Sequence, residues 1–430
     1  MTRLEEQGRA AKQAARVMAA AGSGRKDAAL RVIADALEGA QEEWLAANAE
    51  DLREARENGI TDAMYDRLRL TPERIRGIAE GVRTVTALPD PVGALDKGCT
   101  RPNGLRIERR RVPLGVIAII YEARPNVTVD AAALCMKAGN VCILRGGKEA
   151  FRSNQAAVRI MRSALREAGL PEDAVQLVED TSRESANELM HLNEYVDVLI
   201  PRGGAGLIRA VARNASVPVI RTGEGVCHIY IDWEADLPMG AEILYNAKCS
   251  RPSVCNAVEC VLLHEASAEA FLREAVPLLA KKKVELRCDA AALGILSKLT
   301  ADHEGGIPVS ESCLVRPAED ADWDMEYGDY ILAVHVVRDA AEAMDFIAAH
   351  GTGHSECIVT NNYFTAQQFL DEVDAAAVYV NAATRFTDGG EFGLGAEIGI
   401  SIQKLHARGP MGLEELTSTK YVVYGQGQVR

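Results

Sequence analysis

Four short apolar runs, at 116–120, 141–144, 175–178 and 196–200, alternate with segments whose apolar residues recur at helical spacing. The first, Val116-Ile117-Ala118-Ile119-Ile120, is too short for a buried helix and suits a strand covered on both faces. The intervening stretches 128–138, 153–168 and 182–192 read as helices. A helix between two strands returns the chain to the same end of the sheet, so this alternation dictates a parallel α/β sheet. A second α/β series begins near Asp236, with strands expected at 257–263, 331–337 and 377–380.

The flanks read differently. From 3 to 88 the chain is rich in Ala, Leu, Glu and Arg at helical spacing, broken at Gly22-Ser23-Gly24 and Asn58-Gly59. Pro89-Asp90-Pro91 ends these amphipathic helices, and L-R-I-E-R-R-R-V from Leu105 alternates like an exposed strand. The tail T-S-T-K-Y-V-V-Y-G is β-prone but cannot form a stable sheet alone, so it needs a partner strand.

A chain of 430 residues exceeds the size at which one core keeps growing, so two or three domains are expected. A formal charge of −14 argues against nucleic acid or an anionic membrane as partner. An anionic substrate therefore needs a local cluster of cations. The N-terminus M-T-R-L-E-E-Q has no apolar leader, and no segment approaches the ~20 apolar residues that span a bilayer, so the reading is cytoplasmic. Ten cysteines without a C-x-x-C pair suit free thiols in a reducing compartment. His350 and His354 are spaced i,i+4, but glycines lie between them and H-E-x-x-H is absent, so no metal site is expected.

The segment N-A-K-C-S-R-P-S-V-C-N-A-V-E from Asn246 carries the chemistry. It puts Cys255 in a polar turn before a β-rich run, beside Ser253, Asn256 and the cation Arg251, surroundings that favour a thiolate nucleophile over a core thiol. Blocks over nearly the whole chain add to this. They are A-N-A-E-D-L from Ala47, D-R-L-x-L from Asp66, V-P-L-G-V-I-A-I-I-Y-E-A-R-P-N-V-T from Val112 and P-R-G-G-A-G-L from Pro201. G-V-C-H-I-Y from Gly225, R-P-S-V-C-N-A-V-E from Arg251 and Y-V-N-A-A-T-R-F-T-D-G-G-E-F-G-L-G-A-E from Tyr379 follow in order. With these the chain resembles the aldehyde dehydrogenase superfamily and, within it, the branch that reduces a glutamyl phosphate.

The resemblance implies an α/β fold of aldehyde dehydrogenase type in three parts. A Rossmann-type nucleotide-binding domain would take 1–103 and 116–234, an α/β catalytic domain 235–384, and a β-flap oligomerisation element 104–115 with 405–430. Two β segments far apart in sequence that need covering also hint at a homo-oligomer. The implied activity is NADPH-dependent reduction of L-glutamyl 5-phosphate to L-glutamate 5-semialdehyde through a thioester on Cys255, a step toward proline. No kinase domain precedes it, so the labile acyl phosphate would come from a separate glutamate 5-kinase.

Further residues follow from the resemblance. Asn126 is placed as oxyanion donor beside the backbone N–H of Cys255, although a residue after Pro125 also reads as a helix N-cap. Gly203 and Gly204, after a strand and before a helix, would receive the cofactor, though such junctions are commonly plain turns. In L-R-G-G-K, whose Arg145 is also expected at the cofactor, Lys148 stands where NAD-using relatives carry a glutamate; a cation there favours a 2′-phosphate, hence NADP(H), and otherwise it is a solvated loop lysine. Glu326 aligns with the glutamate holding the nicotinamide ribose, and alone is an ordinary surface acid. Arg124, Arg251 and Arg385 are candidates for the substrate's anionic groups, against structural ion pairs. His228 and His354 read as structural. Hydrolytic relatives carry a glutamate base where Thr222 stands here, with Glu224 two residues on, which favours reduction over an oxidative aldehyde dehydrogenase. The intact Cys255 and Asn126 argue against a silent scaffold.

Overall fold

The computed structural model describes residues 1–122, 124–301 and 313–430. The chain divides into two compact units, one of residues 1–222, 393–399 and 410–430, the other of 223–392 and 400–409.

In the first unit the expected helical stretch resolves into Arg3–Ala20, Ser23–Gly39, Gln41–Glu57, Asp62–Leu68 and Pro72–Ala87. Their starts are written locally. Thr2 and Glu5 close a capping box, and the Thr71 side chain accepts from the backbone of Arg74 with Pro72 in the first turn. The strands then follow: β1 (Leu95–Thr100), β2 (Arg106–Pro113), β3 (Val116–Tyr121), β4 (Val141–Arg145), β5 (Val175–Leu177) and β6 (Val198–Arg202). β3 to β6 form a parallel sheet ordered β5-β4-β3-β6, and every residue of β3 is buried, which explains its unbroken apolar run. The strand order reverses between β3 and β6, where open α/β sheets bind ligands at the strand ends. Glu122 and Gly203-Gly204 emerge there.

β1, β2 and the C-terminal strand Thr417–Tyr424 form an antiparallel sheet with β2 in the middle. The tail's partner strand is thus in its own chain, with Thr417 opposite Pro113 and Tyr424 opposite Arg106. β1, from the stretch 1–103 expected in the nucleotide-binding part, also belongs to this sheet through its pairing with β2.

The second unit contains β7 (Cys227–Ile231), β8 (Val258–His264), β9 (Glu285–Cys288), β10 (Val315–Pro317), β11 (Ile331–Val337), β12 (Ser355–Val359) and β13 (Ala377–Val380). They form one parallel sheet ordered β10-β9-β11-β8-β7-β12-β13. Both faces are covered. Ile229, Val261, Val334 and Cys357 belong to one core, while Tyr230, Leu262, Ala333 and Ile358 belong to the other. The boundary falls at 222/223 rather than at 234/235 because β7 pairs with β8 and β12 instead of extending the first sheet.

Candidate active site

Cys255 lies in the turn between helix Leu237–Cys249 and β8, as its polar flanks predict. Eight of the ten cysteines are buried; Cys99 is exposed and Cys255 is half-exposed, so Cys255 is partly accessible without being loose on the surface. Its backbone is tightly placed. A Cβ on Gly225 would fall 1.5 Å from the Cys255 carbonyl oxygen, a distance no side chain tolerates. The Cys227 thiol donates to the same carbonyl at 3.3 Å, and burial, with Glu356 nearby, raises its pKa and keeps it protonated for that role.

The next residue stitches the turn to a second loop. Asn256 Nδ2 donates to the carbonyls of Arg385 at 3.2 Å and Thr387 at 2.9 Å, and the Thr384 hydroxyl donates to the Asn256 carbonyl at 2.7 Å. Arg385 Nη1 in turn donates to Asn256 Oδ1, and its Nε to Ser250 Oγ at 3.2 Å. Burial and the neighbouring Arg251 guanidinium lower the Arg385 pKa, with Asp388 and Cys255 opposing. Arg251 is exposed and Arg385 half-buried. The second unit thus brings Cys255, Arg251 and Arg385 together, two cations near one another in a chain of net negative charge.

Glu326 joins the same neighbourhood through Gly225, whose N–H it accepts. Burial and Glu224 raise its pKa against that hydrogen bond and Lys248. Behind it, Lys248 Nζ and Glu259 Oε2 form a buried ion pair at 2.5 Å. The two histidines are structural in their contacts. His228 Nδ1 pairs with Glu356 Oε2 at 3.0 Å, and buried His354 places Nδ1 2.8 Å from Ser355 Oγ. From Ser355 the chain of hydroxyls continues to Thr387 at 2.6 Å and Tyr379 at 2.7 Å.

The remaining candidates lie on the first unit. Arg124 is exposed and occupies the N-cap position of helix Pro125–Lys137, with Pro125 at the first helical position. Asn126 therefore sits inside the first turn and is not the cap; its Nδ2 donates to Asp130 Oδ2 at 3.0 Å. Gly203 and Gly204 open helix Ala205–Asn214. The Glu122 carboxylate accepts from the Gly204 N–H at 2.9 Å, and a Cβ on Gly203 would fall 2.7 Å from its carboxyl carbon. Arg145 Nη2 donates to the carbonyls of Thr181 at 2.5 Å and Ser182 at 2.9 Å, making it a brace between loops. Lys148 begins a short 3-10 turn and lines a cleft of about 290 Å³ with Asp51, Glu54 and Glu149. The Thr222 hydroxyl is buried and donates to the Pro201 carbonyl at 2.7 Å.

Sequence reasoning assigned no role to Gly225, Cys227, Glu122 or Asp130, and read Asn256 only as a polar flank of Cys255. Only Asp130 left a local trace, a carboxylate one helical turn beyond Asn126 on the same face.

The sequence model of the aldehyde dehydrogenase family matches residues 2–296. A gamma-glutamyl phosphate reductase of Clostridium perfringens is 55% identical over 423 residues, covering 98% of both chains. One from Enterococcus faecalis is 54% identical, covering 100% of this chain and 99% of its own. The crystal structure of gamma-glutamyl phosphate reductase from Thermotoga maritima superposes with a TM-score of 0.95 at 45% identity, over 100% of both chains. Identity of this order along the full length, together with a cysteine turn built as described, leaves one assignment: the chain belongs to the aldehyde dehydrogenase family and, within it, to the gamma-glutamyl phosphate reductases.

Proposed function

We propose that this protein is an oxidoreductase that reduces L-glutamyl 5-phosphate to L-glutamate 5-semialdehyde with NADPH, releasing phosphate, in proline biosynthesis. The observation carrying the reading is the accessible Cys255 thiol in a fixed turn beside the Arg251–Arg385 pair. The names of its relatives supply the substrate.

Cys255, as thiolate, attacks the acyl carbon; the C–S bond forms, the C–O bond to phosphate breaks, and phosphate departs with that electron pair. NADPH, when bound, supplies the hydride that converts the thioester to a thiohemiacetal. Collapse then breaks the C–S bond, frees the aldehyde and restores the thiolate. Asn126 Nδ2 and the Cys255 N–H are the donors for the oxyanion formed in both steps. Arg251 and Arg385, with Arg124, hold the substrate's carboxylate and phosphate.

The residues fit the cofactor. The Gly204 N–H at the helix start donates to the Glu122 carboxylate, so an anion is accepted there, and a pyrophosphate would take that donor by displacing Glu122. Gly203 and Gly204 would hold the pyrophosphate, Glu326 the nicotinamide ribose and Lys148 the 2′-phosphate, with Arg145 bracing the loop beside it. The Thr222 hydroxyl is committed to a backbone carbonyl, which supports a site without a water-activating base. This reading includes a cytoplasmic homo-oligomer that takes its substrate from a separate glutamate 5-kinase.

The test is NADP⁺ reduction by purified protein with glutamate semialdehyde, with and without inorganic phosphate, beside Cys255→Ala. Activity requiring both phosphate and Cys255 is expected. Phosphate-independent turnover would make it a hydrolytic dehydrogenase and sink the proposal.

A further inference from the structure

Asn126 and Asp130 lie one turn apart on helix Pro125–Lys137, joined by the 3.0 Å bond from Nδ2 to Oδ2. An ionised carboxylate only accepts, so the amide must present its NH₂ group to Asp130 and turn Oδ1 away. Nδ2 carries two hydrogens. One is used on Asp130, and the other leaves the nitrogen in the same plane, its direction set once the first is held.

We propose that Asp130 is a positioning residue for the reaction: it fixes the Asn126 amide in the single orientation that leaves the second Nδ2–H to the substrate oxyanion. This rests on the reading of Asn126 as oxyanion donor. An unanchored amide can rotate to put Oδ1 in that place, where an acceptor would repel the developing charge instead of stabilising it. An i,i+4 pair adds only about 0.2–0.5 kcal/mol to a helix, so helix formation alone does not account for a partly buried carboxylate at this place.

The surroundings give the device a pH response. Asp130 is half-buried and lines a cleft of about 220 Å³, whose other walls include Gly81, Val82, Thr84 and Val85 of helix Pro72–Ala87, and Glu397. The charged groups facing it are Arg202 at the end of β6 and Glu397; the helix wall contributes no titratable side chain. Burial pushes the Asp130 carboxyl up to about 6, against the Asn126 hydrogen bond and Arg202, which lower it. Once protonated, the carboxyl O–H donates to Oδ1 of a rotated amide and the orientation is no longer unique. Turnover therefore falls as pH drops through about 6.

The experiment compares wild type, Asp130→Asn, Asn126→Ala and the double variant in the phosphate-dependent reverse reaction, with kcat referred to titrated Cys255 so that misfolded protein is not counted. Asn126→Ala is expected to lower kcat by ~100-fold or more. Asp130→Asn should lower it by about 10-fold with KM nearly unchanged, and its pH profile should lose the acid limb. In the Asn126→Ala background, Asp130→Asn should cost nothing further. Wild-type kcat with the acid limb retained in Asp130→Asn, or losses that multiply in the double variant, would overturn the positioning role while leaving Asn126 in place. Wild-type kcat in Asn126→Ala would remove the oxyanion reading and this inference with it.

Discussion

The turn carrying Cys255 is held by tertiary contacts from elsewhere in its unit: Gly225 packed against its carbonyl, the Cys227 thiol on the same atom, and Asn256 linked to the 384–387 loop. The Asn126 side chain has its anchor within its own helix, the carboxylate of Asp130. Contacts between distant segments resist displacement of the backbone but demand shapes that tolerate no added atom. A local anchor tolerates neighbouring change and instead responds to protonation. On the proposed reading, a nucleophile at Cys255 needs fixed backbone geometry and a donor at Asn126 needs a fixed orientation, so the two kinds of support suit the two tasks.

The sharpest way to break this contrast is Gly225→Ala. The new Cβ would meet the Cys255 carbonyl oxygen at 1.5 Å, so the backbone must move. A displacement near 1 Å at a reacting group costs about 100-fold in rate, and overpacking of this kind costs about 3 kcal/mol of stability. Kinetics with thermal melts would show both losses. Gly77→Ala is the control, since Gly77 sits inside helix Pro72–Ala87 with nothing within 4 Å of its ideal Cβ. That change should stabilise by roughly 0.5–1 kcal/mol. Equal behaviour of the two variants would mean that the turn is not fixed by close approach.

Asn256→Ala tests the same frame less severely. It removes the donors to the Arg385 and Thr387 carbonyls and leaves them without that partner. A loss of about 2 kcal/mol is expected, with kcat falling more than KM because the Cys255 turn loosens. Denaturant melts and steady-state kinetics check it; an unchanged kcat would show that the 384–387 loop does not support the nucleophile.

The difference between the two supports also explains what could be read in advance. The four strands of the first sheet and β8, β11 and β13 of the second were legible, most plainly β3, which is buried on both faces and apolar without interruption, whereas β7, β9, β10 and β12 were not read, β9 and β10 being short and partly exposed. β7 has the same character as β3, however, and nothing within Cys227–Ile231 says which sheet it joins; that choice depends on β8 and β12. Cys255 stood out through its polar flanks, a local signal. Gly225 did not, because its need for a bare Cα arises only when a residue thirty positions later packs on it. Asp130 could have been found, since an i,i+4 pair is written in the spacing itself. Interrupted helices such as the break at Ala40, without glycine-rich punctuation of the kind at Gly22-Ser23-Gly24, are settled by packing rather than by residue type.

The smallest expected effect concerns His354, buried behind the Cys255 turn with Nδ1 beside Ser355 Oγ and 3.8 Å from the Cys227 sulfur. Burial lowers its pKa from 6.5 to about 4. In the unfolded chain the imidazole binds a proton below pH 6.5, while in the folded protein it stays neutral until about pH 4. The unfolded state therefore holds more protons in that window, and stability is lost as pH falls, by about 1.4 kcal/mol per pH unit. At pH 5.5 this amounts to about 1 kcal/mol. His354→Asn retains a polar side chain but cannot titrate, so its urea-unfolding free energy should fall less steeply between pH 6.5 and about 4 than that of wild type. Identical slopes would place the acid sensitivity elsewhere. The first unit supplies the opposing sign, because the raised Asp130 carboxyl favours the folded state as pH falls and loses that contribution as pH rises through about 6. One protein thus carries a histidine that weakens it in acid and a carboxyl that acid favours, while activity falls in the same direction as the histidine effect. Separating stability from turnover across this window distinguishes the turn that must stay neutral from the amide that must stay anchored.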